Sequence, residues 1–181
     1  RCYPDLIIHA FEPAENNITR LCENVNLNGF DKITPHKVAL TNHDGTEKMF
    51  VTTDTAGTSG HTLYSPIPEH TNMTVREFDV PVKRLDTLVK EGLPVPTHVK
   101  IDVDGADFTV IEGMTGILND WRLKSILVEC RGEEFQKVKT LLADYGFTHR
   151  TPFTKYAMQV KGFIFLAGHN HYMVVDKTSN I

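Results

Sequence analysis

Apolar and polar positions along this chain fall into two alternating kinds of block. LIIHAF (6–11), HVKIDV (98–103) and SILVEC (125–130) are nearly continuous apolar runs, the pattern of strands covered on both faces. Between such runs the spacing becomes that of a helix. From Ala14, residues Ile18, Leu21, Cys22 and Val25 share one face, and Asn28-Gly29 closes the pattern. Over 106–118 the face is Phe108, Ile111, Met114 and Leu118. Over 133–145 it is Phe135, Val138, Leu141, Leu142 and Tyr145, stopped by Gly146. ITPHKVAL (33–40), NHDGTEKMFVTT (42–53, with a turn at Asp44-Gly45) and VREFDVPVKRL (75–85) read as extended. A short helix follows over 85–91, LPVPT (93–97) is a linker, and FTHRT (147–151) and KGFIFLAG (161–168) are the last strands. Residues 54–72, rich in Thr, Ser, Gly and Pro, form a long loop of the kind that usually carries function.

Strand and helix in alternation predict βαβ units. The expected fold is α/β, with a mostly parallel sheet and an antiparallel hairpin at one edge, in a single domain over 1–181. Composition narrows the function. The chain has 181 residues, 40% hydrophobic and 23% charged, with net charge −4 and no basic block, so nothing points to a nucleic-acid partner. No apolar run has the roughly 18 residues of a membrane helix. Cys2, Cys22 and Cys130 are odd in number and far apart, which fits a reducing compartment and makes cytoplasmic the default location. Sequons occur at Asn17 (NIT) and Asn72 (NMT). Such triplets are common by chance, and Asn17 lies in a helix pattern. The chain begins at Arg1 and enters a strand almost at once, so it reads as a piece of a longer protein.

In open α/β sheets ligands sit beyond the carboxyl ends of the strands. Those ends carry Phe11-Glu12-Pro13, Ala39-Leu40, Asp102-Val103-Asp104-Gly105 and Glu129-Cys130-Arg131. A carboxylate such as Glu12 can accept both hydroxyls of a ribose, or serve the dipole of the following helix. Asp102 and Asp104 share a face, where their mutual repulsion raises one pKa as a base requires; an Asx-turn or cap is the alternative. Glu129 fits a cap or a salt bridge equally well. Lys100 is placed to pair with a nearby acid. His61, in GTSGHTL, is a candidate base or substrate ligand from the long loop. His169 and His171 lack a third ligand and read as an exposed strand end.

HAFEPAENNITRLCENVNLNG, VALTNHDGTEKMF, VPVKRLDTLV, VKIDVDGADFTVIEGM and SILVEC, in this order, resemble the FkbM-type methyltransferases, and FIFLAG is similar to the family's last strand. The resemblance spans roughly 6–168 and is most specific at KIDVDGAD. It implies a class I, Rossmann-like methyltransferase using S-adenosylmethionine (SAM). In that reading Glu12 and Pro13 would lie at the ribose and Ala39 and Leu40 at the adenine. Asp102 would stand by the methyl-transfer centre, with Asp104 and Gly105 shaping the turn. Asp104 and Asp107 stand where the family more often has glutamates. The family's first strand and its glycine-rich loop have no counterpart here. The expected acceptor is a hydroxyl of a sugar, glycan or small metabolite, with Asp102 as base. Asp102 and Glu129 offer the oxygen donors Mg²⁺ takes, although the reading assigns no metal. The rival functions are a non-catalytic Rossmann-like scaffold and another nucleotide-dependent Rossmann enzyme.

Overall fold

The computed structural model describes residues 5–51, 62–63, 76–103, 105–130, 132–150, 158–160, 163–165 and 171–177. The chain divides into two compact units, Arg1–Arg84 and Leu85–Ile181.

In the first unit, strand β1 (Ile8–Phe11) leads into helix α1 (Glu15–Leu27) and then β2 (Ile33–His36), which pairs with β1 in parallel. The chain stops α1 with a left-handed glycine. Gly29 sits at φ 62°, its N–H donates to Asn26 O, and the N–H of Phe30 donates to Val25 O. This double bond is the Schellman arrangement, which needs φ > 0 at that residue. Ile18 is buried and Leu21 and Val25 are half-buried, as the helical spacing predicts, but Cys22 is exposed. The expected strand over 33–40 is broken. Val38 N–H turns back to His36 O, and Ala39–Leu40 forms a separate strand, β3, in another sheet. There β3 runs parallel to β6 (Arg76–Lys83), β6 pairs antiparallel with β4 (Gly45–Val51), and β4 carries β5 (Thr62–Leu63) on its other edge. Ala14, Ala39, Met49, Val51, Val80 and Val82 form a buried cluster, with Leu63 packed against it.

The second unit begins with α2 (Leu85–Lys90) and β7 (His98–Ile101), followed by α3 (Asp107–Glu112), β8 (Ser125–Cys130), α4 (Gly132–Asp144) and β9 (Phe147–Arg150). β7 and β8 are parallel, with Ile101 opposite Val128. β12 (His171–Lys177) lies between β8 and β9 and is antiparallel to both. The expected last strand over 161–168 is placed differently. Phe163–Phe165 is β11, paired antiparallel with β10 (Met158–Val160) in a hairpin of its own, and the strand in the main sheet is 171–177. The sheets are therefore small and mixed. Among the described residues three strand pairs are parallel and five antiparallel, which corrects the expectation of a mostly parallel sheet.

Ile111, Met114, Leu118, Leu123, Ile126, Val128, Val138 and Leu142 are fully buried and make the second core. Helix α3 ends at Glu112, well short of the expected 118. Beyond it the bonds become i to i−3, from Met114 N–H to Ile111 O and from Ile117 N–H to Met114 O. Gly113 and Gly116 disfavour helix here. The buried carboxylate of Asp86 also takes the N–H groups of Gly116 (2.9 Å) and Ile117 (3.2 Å), so both donors are satisfied outside a helix. A β-carbon on Gly116 would stand 3.0 Å from that carboxylate.

Asp86→Ala takes this acceptor from the Gly116 N–H and leaves the Ile117 N–H with the Met114 carbonyl alone. We expect a loss of about 1–3 kcal/mol, read as a lower urea midpoint at unchanged slope. A midpoint equal to wild type would show that Asp86 does not hold this segment.

Candidate functional site

Two groups of strand-end residues, one in each unit, carry the chemistry. In the first, Glu12 follows β1 directly. Its backbone N–H donates to His36 O at 3.0 Å, extending the β1–β2 ladder by one step. Pro13 has no N–H, so the first donor of the helix start is that of Ala14. It goes to Glu12 Oε1 at 2.8 Å. Asn17, one turn into α1, donates from Nδ2 to Oε2 at 3.3 Å. Ala14 has no side-chain cap of its own, and Glu12 fills that role. Ala39 packs in the buried cluster of this unit, with Leu40 half-buried beside it.

Next to Glu12 lies a histidine pair that the sequence reading passed over. His9 Nδ1 and His36 Nε2 are 2.9 Å apart, and the Phe11 ring stacks on His36 with centroids 4.8 Å apart. Burial and the neighbouring His9 both push the His36 pKa down. Thr34 and Phe11 stand opposite His9 and His36 in the ladder, so all four share one face of the strand pair. That alternation is the signal that could have found the histidine pair.

The second group closes β7 and β8. The parallel register that sets Ile101 opposite Val128 brings Asp102 and Glu129 side by side at the next step. The Glu129 side chain lies beside the Asp102 carboxyl and lowers its pKa. Lys100, on the same face as Asp102, reaches its Oδ2 at 2.5 Å, the pairing expected for it. Burial pushes the Asp102 carboxyl up. The bonds from Glu129 and Lys100 outweigh that and hold it below the ordinary aspartate range. The sequence reading expected a raised pKa suited to a base. The group present is an exposed carboxylate whose pKa is lowered, not raised.

The raised carboxyl belongs to Asp107, which the sequence reading did not select. Asp107 is only 3% exposed. Its Oδ1 accepts the N–H of Val103 and its Oδ2 that of Gly105, both at 3.3 Å. Burial, reinforced by Glu134, pushes its pKa to about 6 against the pull of those backbone donors. Gly105, at φ 91°, lets the chain turn between Asp102 and α3, where a side chain would be strained. Glu134, on α4, accepts the N–H of Phe108 at 3.0 Å and so caps the first turn of α3. The cap expected of Asp102 or Asp104 is thus supplied by Asp107 and Glu134. His61, Asp104 and His169 lie outside the described residues. Among the described residues no cluster of three or more His, Cys, Asp or Glu side chains could hold a metal ion.

Residues 2–148 match the family model described as the methyltransferase FkbM domain. The chain belongs to the FkbM methyltransferase family. A curated relative, Methyltransferase 1 of Beauveria bassiana, is 30% identical over 166 aligned positions, covering 81% of this chain and 65% of the relative. A crystal structure of a methyltransferase FkbM from Methylobacillus flagellatus matches at a TM-score of 0.58 and 11% identity. It is covered over 36% of its length by 93% of this chain, and at that identity it shows a shared α/β fold. This chain therefore spans about two thirds of the Beauveria bassiana methyltransferase and about a third of the Methylobacillus flagellatus protein. No helix among the described residues is long and apolar enough to cross a membrane.

A carboxyl that is protonated in the fold at a pH where the unfolded chain has ionised makes stability fall as pH rises. For Asp107 that window runs from its ordinary 3.8 up to about 6. Wild type should lose about 1–3 kcal/mol relative to Asp107→Asn across this window, measured by urea unfolding at several pH values. Parallel stability curves for the two proteins would refute the assignment.

Proposed function

We propose that this chain is the cofactor-binding methyltransferase domain of a SAM-dependent O-methyltransferase, acting on a hydroxyl of a sugar, glycan or small metabolite. Family membership supplies the reaction class, and the Glu12 carboxylate is the observation that carries the cofactor assignment. Each of its oxygens accepts one protein donor, and each has a second lone-pair direction for a hydroxyl of a vicinal diol. The residues present therefore fit a ribose. Glu12 and Pro13 set that end, and Ala39 and Leu40 of the same unit are assigned to the adenine.

SAM supplies the methyl group. The protein's part is to align the acceptor oxygen and to exclude water. Asp102, an exposed carboxylate, accepts a hydrogen bond from the acceptor hydroxyl and orients its lone pair. Its lowered pKa suits it to alignment more than to taking the proton, and the proton acceptor is assigned to His61. No metal is assigned. The expected compartment is the cytoplasm, where SAM is made available to such enzymes.

Calorimetric titration of the intact protein with SAM and S-adenosylhomocysteine tests the reading. Glu12→Ala should weaken both ligands by about tenfold or more. Asp102→Asn should lower turnover about a hundredfold beyond any loss of cofactor affinity, and His61→Ala should lower turnover about tenfold or more with cofactor affinity unchanged. An intact protein that binds neither ligand would leave the non-catalytic scaffold as the surviving reading.

A further inference from the structure

The NIT triplet at residue 17 has the form of a glycosylation acceptor, but the amide that would carry a glycan is already engaged. Asn17 Nδ2 donates to Glu12 Oε2, five residues back across the start of α1. We infer that Asn17 is a positioning residue for Glu12, fixing the rotation of its carboxylate so that both oxygens face the same ligand diol. This inference rests on the cofactor reading above.

A carboxylate at the end of a glutamate has a broad, roughly two-fold terminal torsion. The Ala14 N–H holds Oε1 at 2.8 Å but leaves the group free to swing about that contact. A second donor on the other oxygen removes the swing. Asn17 provides it from a helix that is itself fixed, since Ile18 beside it is buried and its N–H donates to Ala14 O. With one donor on each oxygen, one acceptor direction stays open on each. That is the pattern a 2′,3′-diol needs, and a single hydroxyl would leave half of it unused. Asn17 thus acts through Glu12 and has no need to touch the ligand. Aspartate at this position would present oxygen to oxygen and turn the clamp into a repulsion.

A ligand that lacks one ribose hydroxyl separates this role from a merely structural one. S-adenosylhomocysteine and its 2′-deoxy analogue are titrated into the intact wild-type protein, Asn17→Ala, Asn17→Asp and Glu12→Ala. Thermal melting of each variant is measured alongside. Wild type should prefer the ribose ligand by about tenfold or more, as one hydrogen bond to a charged acceptor implies. Both Asn17 variants should melt close to wild type and reduce that preference to about two- to threefold, most of the way toward Glu12→Ala. If the Asn17 variants weaken both ligands equally and keep the full preference, Asn17 is only part of the helix and the inference is overturned. If a variant melts far below wild type, the preference ratio still decides, because it compares two ligands on the same folded molecules. If wild type binds neither ligand, the cofactor reading fails and this inference falls with it. If wild type binds both ligands equally, the cofactor reading stands and only the diol clamp is lost.

Discussion

One buried carboxylate organises the turn between β7 and α3. Placing Asp107 under that turn removes it from water, which disfavours its charge. The N–H groups of Val103 and Gly105 lie within reach of its two oxygens and offset part of that cost. Without an acceptor beneath them, both backbone donors would be stranded where the chain leaves the sheet. The turn in turn sets where β7 ends and α3 begins, and so where Asp102 stands. Glu134 reaches in from α4 to the next donor, at Phe108, and ties the same corner to a second helix. This corner is a small network in which each acid has backbone to hold, and its geometry follows from satisfying donors.

The consequence is a division between two aspartates five positions apart. Asp102 faces Lys100 and the Glu129 carboxyl, which hold its pKa below the ordinary aspartate range against burial. Asp107 faces backbone donors in a dry pocket beside another acid, and is pushed up to about 6. Identical side chains are driven in opposite directions by what surrounds them, which is the usual means by which one fold separates charged from neutral roles. The more basic group is the buried one, committed to the turn. The exposed one is the weaker base.

In the other unit a helix start does two tasks at once. Glu12 takes the first N–H of α1, where a serine or aspartate cap would usually sit, and its oxygens retain the capacity to accept further donors. Pro13 between strand and helix costs nothing there, because its missing N–H belongs to a position with no helical partner. A carboxylate held as a cap is pre-oriented by the fold, which lowers the cost of ordering it toward any further donor.

Periodicity alone determined much of this protein. The helices α1 and α4, the strand 125–130 and the turn glycine after Asn28 lie where spacing and local chemistry place them, because each depends on residues within a few positions of one another. Glu12 was legible for the same reason, since a strand end followed by Pro and a helix is a local pattern. Tertiary structure decided the rest. The run 33–40 is continuous in sequence, but its halves pair with strands distant in the chain, and only that pairing breaks it. Helix α3 stops early because Asp86, outside the segment, accepts its next donors. Asp107 is raised first by its burial and then by Glu134 from a neighbouring helix, while Glu129 from a neighbouring strand and Lys100 outweigh burial at Asp102. Local preference is written in adjacent residues. Charge state and strand partnership depend on which distant residues arrive, and that is settled only when the chain is packed.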